Sequence, residues 1–154
     1  MKAVVQRVSE AALRVGDREV AAIGAPGGLV ALVGLEEHDT AEDRRWMAEK
    51  IVNLRIFPDD AGKMNRSVLD LGGGVMMVPN FTVAGDASKG RRPSFDNAMK
   101  PERAREEFAL LCAAVRAACP RAGQGEFGAH MHVSLVNDGP ITILLESPRP
   151  GGHG

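Results

Sequence analysis

The run Leu29-Val-Ala-Leu-Val-Gly-Leu35 is almost wholly apolar, and it decides the fold. An apolar run of this length, without polar alternation, is typical of a central strand that is covered on both faces. The chain before it is also rich in strand-forming residues, at 3–8, 11–15 and 18–23. We therefore expect a sheet in which this run is the central strand.

Two helices and further strands are expected after the central run. Asp39, followed three residues later by Glu42, is an acidic variant of a capping box, which predicts a helix that ends near Leu54. Pro101 suits a first helical turn, and apolar residues then recur at helical spacing as far as Pro120. Further strands are expected at 75–83, 127–136 and 141–145, with a turn at 137–139.

Composition and charge fit one ordinary globular domain. The 154 residues are 44% hydrophobic and 25% charged, with a formal net charge of -1, which excludes a strongly basic nucleic-acid coat and an acidic disordered tail. No apolar run reaches the roughly 18 residues of a membrane span, and the first residues lack the apolar core of a signal peptide. We expect one strand-rich α+β domain over residues 1–147, with β-barrel-like sheets and two main helices. We also expect a flexible tail at 148–154 and a cytoplasmic location.

The common catalytic signatures do not occur in this sequence. It has no GxSxG, Walker A, HExxH or CxxC motif. His130 and His132 would face the same side of a predicted strand, which makes half a metal site, although a solvent-facing pair is the interpretation that we favour. Cys112 and Cys119 are too far apart on a predicted helix to form a disulfide.

A polar connection at 84–100 is long enough to suggest a function. Residues 86–105 carry a local net charge of +3 in a chain whose net charge is -1. Clustered lysine and arginine can neutralise nucleic-acid phosphates, but a solvated surface loop explains the same composition equally well. Pro79 lies in the strand that precedes this connection, and because proline has no N–H we expect it at an edge, a bulge or a cleft.

Seven short motifs occur in a fixed order between residue 5 and about residue 147. They are Val5-Gln6-Arg7-Val8, Leu54-Arg55-Ile56-Phe57, Gly62-Lys63-Met64-Asn65, Phe81-Thr82, Lys89-Gly90-Arg91-Arg92-Pro93-Ser94-Phe95, Phe127-Gly128-Ala129 and Asn137-Asp138-Gly139-Pro140-Ile141-Thr142. In this order they resemble the D-aminoacyl-tRNA deacylase family. The resemblance implies a homodimer with active sites at the subunit interface and with neither metal nor cofactor. It implies hydrolysis of the ester between a D-amino acid, or a mischarged glycine, and the terminal adenosine of tRNA.

The same resemblance assigns the rejection of L-aminoacyl esters to a Gly-cis-Pro dipeptide from the other subunit, which corresponds here to Gly139-Pro140. Rigid main chain would occupy the space that an L side chain needs. Glycine has no side chain to clash and would be admitted. The resemblance also implies that Arg7 helps to hold the dipeptide in place.

The resemblance places catalysis in residues 80–82. The backbone N–H groups of Phe81 and Thr82 are the candidate donors to the oxyanion, and Asn80 precedes them. Thr82 matches a threonine proposed as the nucleophile of the family, but no base is visible to activate it. The 2′-hydroxyl of the tRNA ribose is the better activator of water.

The remaining contacts are assigned by the same resemblance. They are Pro79 in the substrate pocket, Phe127, Gly128, Ala129 and Met131 around the adenosine, and Lys89, Arg91 and Arg92 near the acceptor-stem phosphates. The family usually has Ser-Gln where this chain has Pro79-Asn80. That departure leaves two alternatives open: an active enzyme, with or without shifted specificity, and a catalytically silent paralogue that binds the aminoacylated tRNA 3′ end.

Overall fold

The structure is a computed structural model that describes residues 1–148. Its strands are β1 (Lys2–Val15), β2 (Arg18–Ile23), β3 (Gly28–Gly34), β4 (Phe57–Pro58), β5 (Met64–Arg66), β6 (Gly74–Pro79), β7 (Ala122–Gln124) and β8 (His132–Glu146). Its helices are α1 (Ala41–Asn53), α2 (Val68–Leu71) and α3 (Pro101–Ala118), with a 3-10 helix at Phe81–Ala84. None of the helices in this part of the chain is both long and apolar enough to cross a membrane. From residue 149 onward, the predicted tail lies outside the described residues.

Six strands form the main sheet, in which the order is β2-β1-β3-β6-β7 and β8 pairs with β1. β1 is antiparallel to each of its three partners, whereas β6 is parallel to both β3 and β7. Residues 2–8 of β1 pair with β3 and residues 11–15 pair with β2, while β8 follows the other edge. The result is a nearly closed, barrel-like sheet that packs against α1 and α3, which confirms the expected α+β class.

β3 is the central strand that the apolar run predicts. Leu29, Val30 and Ala31 have no exposed surface. Leu29 and Ala31 belong to the core that α1 and α3 cover, whereas Val30 belongs to a second core on the opposite face, together with Val78 of β6. This second core lies beneath the candidate site described below.

α1 begins with a capping box one residue later than the sequence predicts. The Thr40 hydroxyl accepts from the Asp43 N–H, and the Asp43 carboxylate accepts from the Thr40 N–H. The predicted box of Asp39 and Glu42 is therefore wrong. Asp39 is engaged elsewhere, since its carboxylate accepts from the ammonium group of Met1, a long-range contact that no local pattern reveals.

The Met1 ammonium group lies in a buried polar cluster. It donates to Glu36 Oε2 at 3.3 Å and to Ser147 Oγ at 3.0 Å, and Lys2 Nζ lies 3.2 Å from Glu36 Oε1. Burial acts to raise the pKa of Glu36, but the hydrogen bonds and positive charges of Lys2 and Met1 outweigh it, so this pKa lies below its ordinary value. Burial raises the pKa of Asp39, the other acid of the cluster, above its ordinary value.

Two predicted strands have different bounds in the structure. β6 ends at Pro79 rather than at residue 83, because Asn80 turns the chain into the 3-10 helix. β8 begins at His132 rather than at residue 127, and it continues through the predicted turn at 137–139 as far as Glu146. Its register against β1 shifts in this region, so one long strand carries the Gly139-Pro140 dipeptide at an irregularity.

Candidate active site

β6 ends at the mouth of a cavity. Pro79 has no N–H, and the next residue, Asn80, donates its N–H to the Val33 carbonyl of β3 at 2.8 Å. The main chain then leaves the sheet and enters the 3-10 helix. Pro79 lines the cavity, which confirms the expectation that it lies at a cleft.

The cavity has a volume of about 570 Å³ and brings two predicted segments together. It is lined by residues 79–81 and 128–131, which include His130, together with apolar side chains from β3, β6 and β8. Sites for small organic groups are typically this size, with apolar walls and a few polar atoms that fix orientation. The cavity has mainly apolar walls, to which Asn80 and His130 add polar side chains.

Asn80 and Thr82 are joined by two hydrogen bonds. The Asn80 side-chain oxygen accepts from the Thr82 N–H at 3.2 Å and also from the Thr82 hydroxyl. Asn80 thereby caps the 3-10 helix. Thr82 was predicted as one of two main-chain donors to an oxyanion, and in the structure its N–H is directed to Asn80 instead.

Phe81 retains its main-chain donor. Within residues 1–148 its N–H has no hydrogen-bond acceptor, and the residue, which lines the cavity, is 60% exposed. The ring contacts Phe95 edge to face, with centroids 5.0 Å apart. The contact connects the site to the long loop that precedes α3.

Arg7 holds the main chain beside the predicted dipeptide. Its Nε donates to the Asp138 carbonyl at 2.8 Å and its Nη1 donates to the Ile56 carbonyl at 2.7 Å. The Gly139–Pro140 peptide bond is cis. Both residues of this bond are exposed, and neither lines the cavity at Pro79. The structure thus places the dipeptide next to Arg7 but outside the cavity of its own chain.

Asn137 is a positioning residue that the sequence analysis missed. Its side-chain oxygen accepts from the Ile141 N–H at 2.7 Å, and its amide nitrogen donates to the Ile141 carbonyl at 3.1 Å. These two bonds bridge the residues on either side of the segment 138–140. The available signal is its place in the motif at 137–142, which predicts a turn and resembles the family but assigns no role to the Asn137 side chain.

Phe127 lies apart from its predicted neighbours Gly128, Ala129 and Met131. Its ring centroid is 6.4 Å from that of Phe108, and the Arg105 guanidinium lies 5.1 Å above it. It lines a second cavity, of about 620 Å³. The chain therefore passes from one cavity to the other between residues 127 and 128.

The basic loop projects from the end of the site. Asp86 and Ser94 exchange two main-chain hydrogen bonds, both 2.8 Å long, which close the loop at its base. Lys89, Arg91 and Arg92 are exposed on it, and none pairs with an acidic side chain among residues 1–148. Their charges face solvent.

The remaining reactive residues that the sequence singles out are two histidines and two cysteines, and of these His130 lines the cavity at Pro79. The rings of His130 and His132 are 5.0 Å apart, but residues 1–148 contain no cluster of three His, Cys, Asp or Glu side chains that could hold a metal ion. Cys112 and Cys119 are free and buried. Burial raises the pKa of Cys112 to about 12, so its thiol is protonated at neutral pH.

Known proteins match nearly the whole chain. The family model for D-Tyr-tRNA(Tyr) deacylase matches residues 4–146. A D-aminoacyl-tRNA deacylase from Chlorobaculum tepidum is 50% identical over 151 residues, covering 97% of this chain and 99% of that protein. A protein of the same name from Kosmotoga olearia is 52% identical over 149 residues, covering 96% and 97%.

Two solved structures share the fold. One, described as the c-Myc DNA Unwinding Element Binding Protein, has a TM-score of 0.91 at 39% identity and covers 97% of this chain and 100% of that chain. The other, described as a probable eukaryotic D-amino acid tRNA deacylase, has a TM-score of 0.79 at 18% identity and covers 94% and 97%. Because the family model spans nearly all of the described residues and relatives are about half identical, the chain belongs to the D-Tyr-tRNA(Tyr) deacylase family, a family of hydrolases.

Proposed function

We propose that this protein is an active deacylase that removes D-amino acids, and mischarged glycine, from the terminal adenosine of tRNA while sparing the L-esters. The observation that carries the proposal is the Phe81 N–H, which has no acceptor within residues 1–148 and belongs to a residue that lines an apolar cavity, in a chain of this family. A main-chain donor that is fixed before the reaction stabilises the oxyanion of ester hydrolysis without a cost of reorganisation.

The proposed reaction needs no covalent enzyme intermediate. A water oxygen attacks the ester carbonyl carbon, and the resulting oxyanion accepts from the Phe81 N–H. The bond between that carbon and the ribose oxygen then breaks, the ribose oxygen takes a proton, and the free amino acid and tRNA leave. The neighbouring ribose 2′-hydroxyl orients the water and relays the proton. Thr82 is excluded as nucleophile in this scheme, because its hydroxyl is directed to an amide oxygen that is no base.

In this proposal, main-chain atoms discriminate between D- and L-aminoacyl esters. Gly139 and Pro140 present two backbone carbonyls from a segment that is held at Asp138 by Arg7 and across 137–141 by Asn137. A held main-chain obstacle cannot rotate away from an L side chain, as a flexible side chain would. The side chain of a D-amino acid points in another direction, so it does not clash with the dipeptide and the D-ester is accepted.

We infer that the dipeptide acts on the cavity of a second subunit. Gly139 and Pro140 are exposed and do not line the cavity of their own chain. β8, the strand that carries them, pairs within residues 1–148 only with β1. It also exposes large apolar side chains, with Val136 49% and Leu144 77% accessible, which supports β8 as part of a homodimer interface.

The tRNA partner and the place of action belong to the same proposal. Lys89, Arg91 and Arg92 face solvent beside the site, which suits contact with acceptor-stem phosphates. We place the whole activity in one domain over residues 1–147 and in the cytoplasm, where charged tRNA is used.

Deacylation of three charged tRNAs tests the proposal. We expect release of D-tyrosine and glycine from their tRNAs, with L-tyrosyl-tRNA preserved, and the same rates after exhaustive chelation. Equal loss of the D and L esters would refute the handedness mechanism. Tight binding of charged tRNA without turnover would instead identify a silent tRNA-end binder, and loss of activity on chelation would indicate a metal-dependent hydrolase.

A further inference from the structure

Arg105 of α3 lies at the junction of the two cavities. Its guanidinium carbon is 5.1 Å from the centroid of the Phe127 ring, and both residues line the second cavity, of about 620 Å³. A Cβ atom built on Gly128 would lie 3.7 Å from Arg105 Nη2, and Gly128 lines the cavity at Pro79. The Arg105 guanidinium therefore lies between residues that line the two cavities.

Arg105 differs from the other arginines of its helix. Arg103 donates to the carbonyls of Glu37 and Asp39, and Arg116 donates to the Gln124 side chain. Arg105 has neither a hydrogen-bond acceptor nor a carboxylate partner among residues 1–148; its one described contact is the stack on Phe127. This stack restrains the guanidinium while leaving its donors available.

The second cavity combines apolar and polar lining residues. Val20, Phe108 and Phe127 supply apolar surface, and the amide nitrogen of Gln124 can donate, whereas its oxygen accepts from Arg116. The nearby Arg18 and Glu126 form an ion pair of 2.7 Å. Glu19 also lines this cavity, so its lining carries two basic and two acidic side chains, and Arg105 is the basic one that lies beside Gly128 at the junction.

We propose that Arg105 binds the phosphodiester on the 5′ side of the terminal adenosine, and that the second cavity takes the nucleoside that precedes it. The inference rests on the proposed function, which puts the adenosine in the first cavity. Arginine suits the position, because its planar fork matches two phosphate oxygens and stays charged at any working pH. The site would add affinity for the tRNA end while making no contact with the amino acid.

Two substrates distinguish phosphodiester binding by Arg105 from a direct effect of Arg105 on ester hydrolysis. One is D-tyrosyl-tRNA, and the other is the D-tyrosyl ester of adenosine alone, which lacks the phosphodiester and the preceding nucleoside. For Arg105→Gln we expect kcat/KM on the tRNA to fall about tenfold through KM, and the salt dependence of log KM to lose a slope of about 0.7, the value of one single-strand phosphate contact. Hydrolysis of the adenosine ester should be unchanged.

The controls keep the outcome interpretable. Arg105→Lys retains a positive charge and should recover part of the loss on tRNA, while Arg45→Gln removes an exposed arginine of α1 and should change neither substrate. Equal losses on both substrates, or no loss on either, would overturn the proposal. Hydrolysis of both substrates by the wild-type protein tests the deacylase function separately. The deacylase function and the proposed role of Arg105 can therefore fail independently.

Discussion

The side-chain oxygen of Asn80 accepts hydrogen bonds from both the backbone N–H and the hydroxyl of Thr82. An amide oxygen does not remove protons, so the threonine is held in place but not activated. The N–H of Thr82 is engaged as well, which leaves the Phe81 N–H as the donor of this segment that is free within residues 1–148.

The first prediction is that Thr82→Ala remains active. We expect its single-turnover rate on D-tyrosyl-tRNA to stay within about tenfold of wild type, because only a supporting hydrogen bond is lost. Thr40→Ala, which removes the N-cap of α1 away from the site, is the matched control and should cost about 1 kcal/mol of stability without changing the rate. A folded Thr82→Ala protein without activity would make Thr82 the catalytic group.

Gly139→Ala should relax the selection of handedness. A Cβ built on Gly139 would lie 2.6 Å from Ile141 N and 2.7 Å from Ile141 Cγ1, so the segment must shift. We expect the ratio of D-tyrosyl to L-tyrosyl hydrolysis to fall by about tenfold or more. In Gly24→Ala the added methyl meets nothing within 4 Å, and the ratio should be preserved. An unchanged ratio in Gly139→Ala would contradict the proposed role of the dipeptide.

Asn137→Ala should loosen the same segment from outside the dipeptide. It removes the partners of both Ile141 main-chain groups, a loss of about 1–3 kcal/mol in the free energy of unfolding. Its distinguishing effect is on selectivity, and the D/L ratio should fall although D-ester hydrolysis continues. Asn53→Ala removes one local bond to Glu49 on α1 and serves as the control. Lower stability with an unchanged D/L ratio would leave Asn137 a merely structural residue.

Glu36→Gln should alter the acid side of the stability profile. The folded-state pKa of Glu36 lies below its ordinary value of 4.5, so its ionised form stabilises the fold above about pH 4.5, and this contribution is lost as pH falls through the folded pKa. Urea unfolding from pH 3 to 7 should show the variant less stable at neutral pH and the difference shrinking towards pH 3. The contribution of Asp39 to stability has the opposite pH dependence. Burial raises the pKa of Asp39, so this contribution is lost as pH rises. Glu49→Gln, at an exposed position, should follow the wild-type profile, and a constant difference across the range would contradict the assignment.

Sequence patterns predicted which helices and strands occur more accurately than where each of them begins or ends. The strand at 18–23 and the start of the second helix at Pro101 were predicted correctly, because periodicity and proline geometry are local properties. The cap of α1 and the start of β8 were wrong, since Asp39 is drawn to Met1 and β8 is defined by its pairing with the distant β1. Long-range contacts of this kind leave no trace in neighbouring residues.

Some residues of the candidate site could likewise be predicted from the sequence, whereas others could not. The family resemblance pointed to residues 79–82 and to Phe127, Gly128, Ala129 and Met131. The fold brings these residues to one cavity except Thr82 and Phe127, and Phe127 lines the second cavity. The sequence did not identify Arg105 as a site residue, because arginines are common on helix surfaces. Its position over Phe127 arises only when α3 packs against the sheet. The roles of Asn80 and Asn137 depend on hydrogen bonds that span two and four residues, which composition does not reveal.

The dipeptide at 139–140 and the cavity at 79–81 are separate features of one chain. If the dipeptide acts on a partner's cavity, as we propose, selectivity belongs to the pair of chains, and dilution below the dissociation constant of the pair should abolish the preference for D-esters. Mixing a Gly139→Ala protein, which loses selectivity, with a Phe81→Pro protein, which lacks the main-chain donor, would then restore one selective site in each mixed pair. Such complementation would be a genetic signature of a centre assembled from two polypeptides.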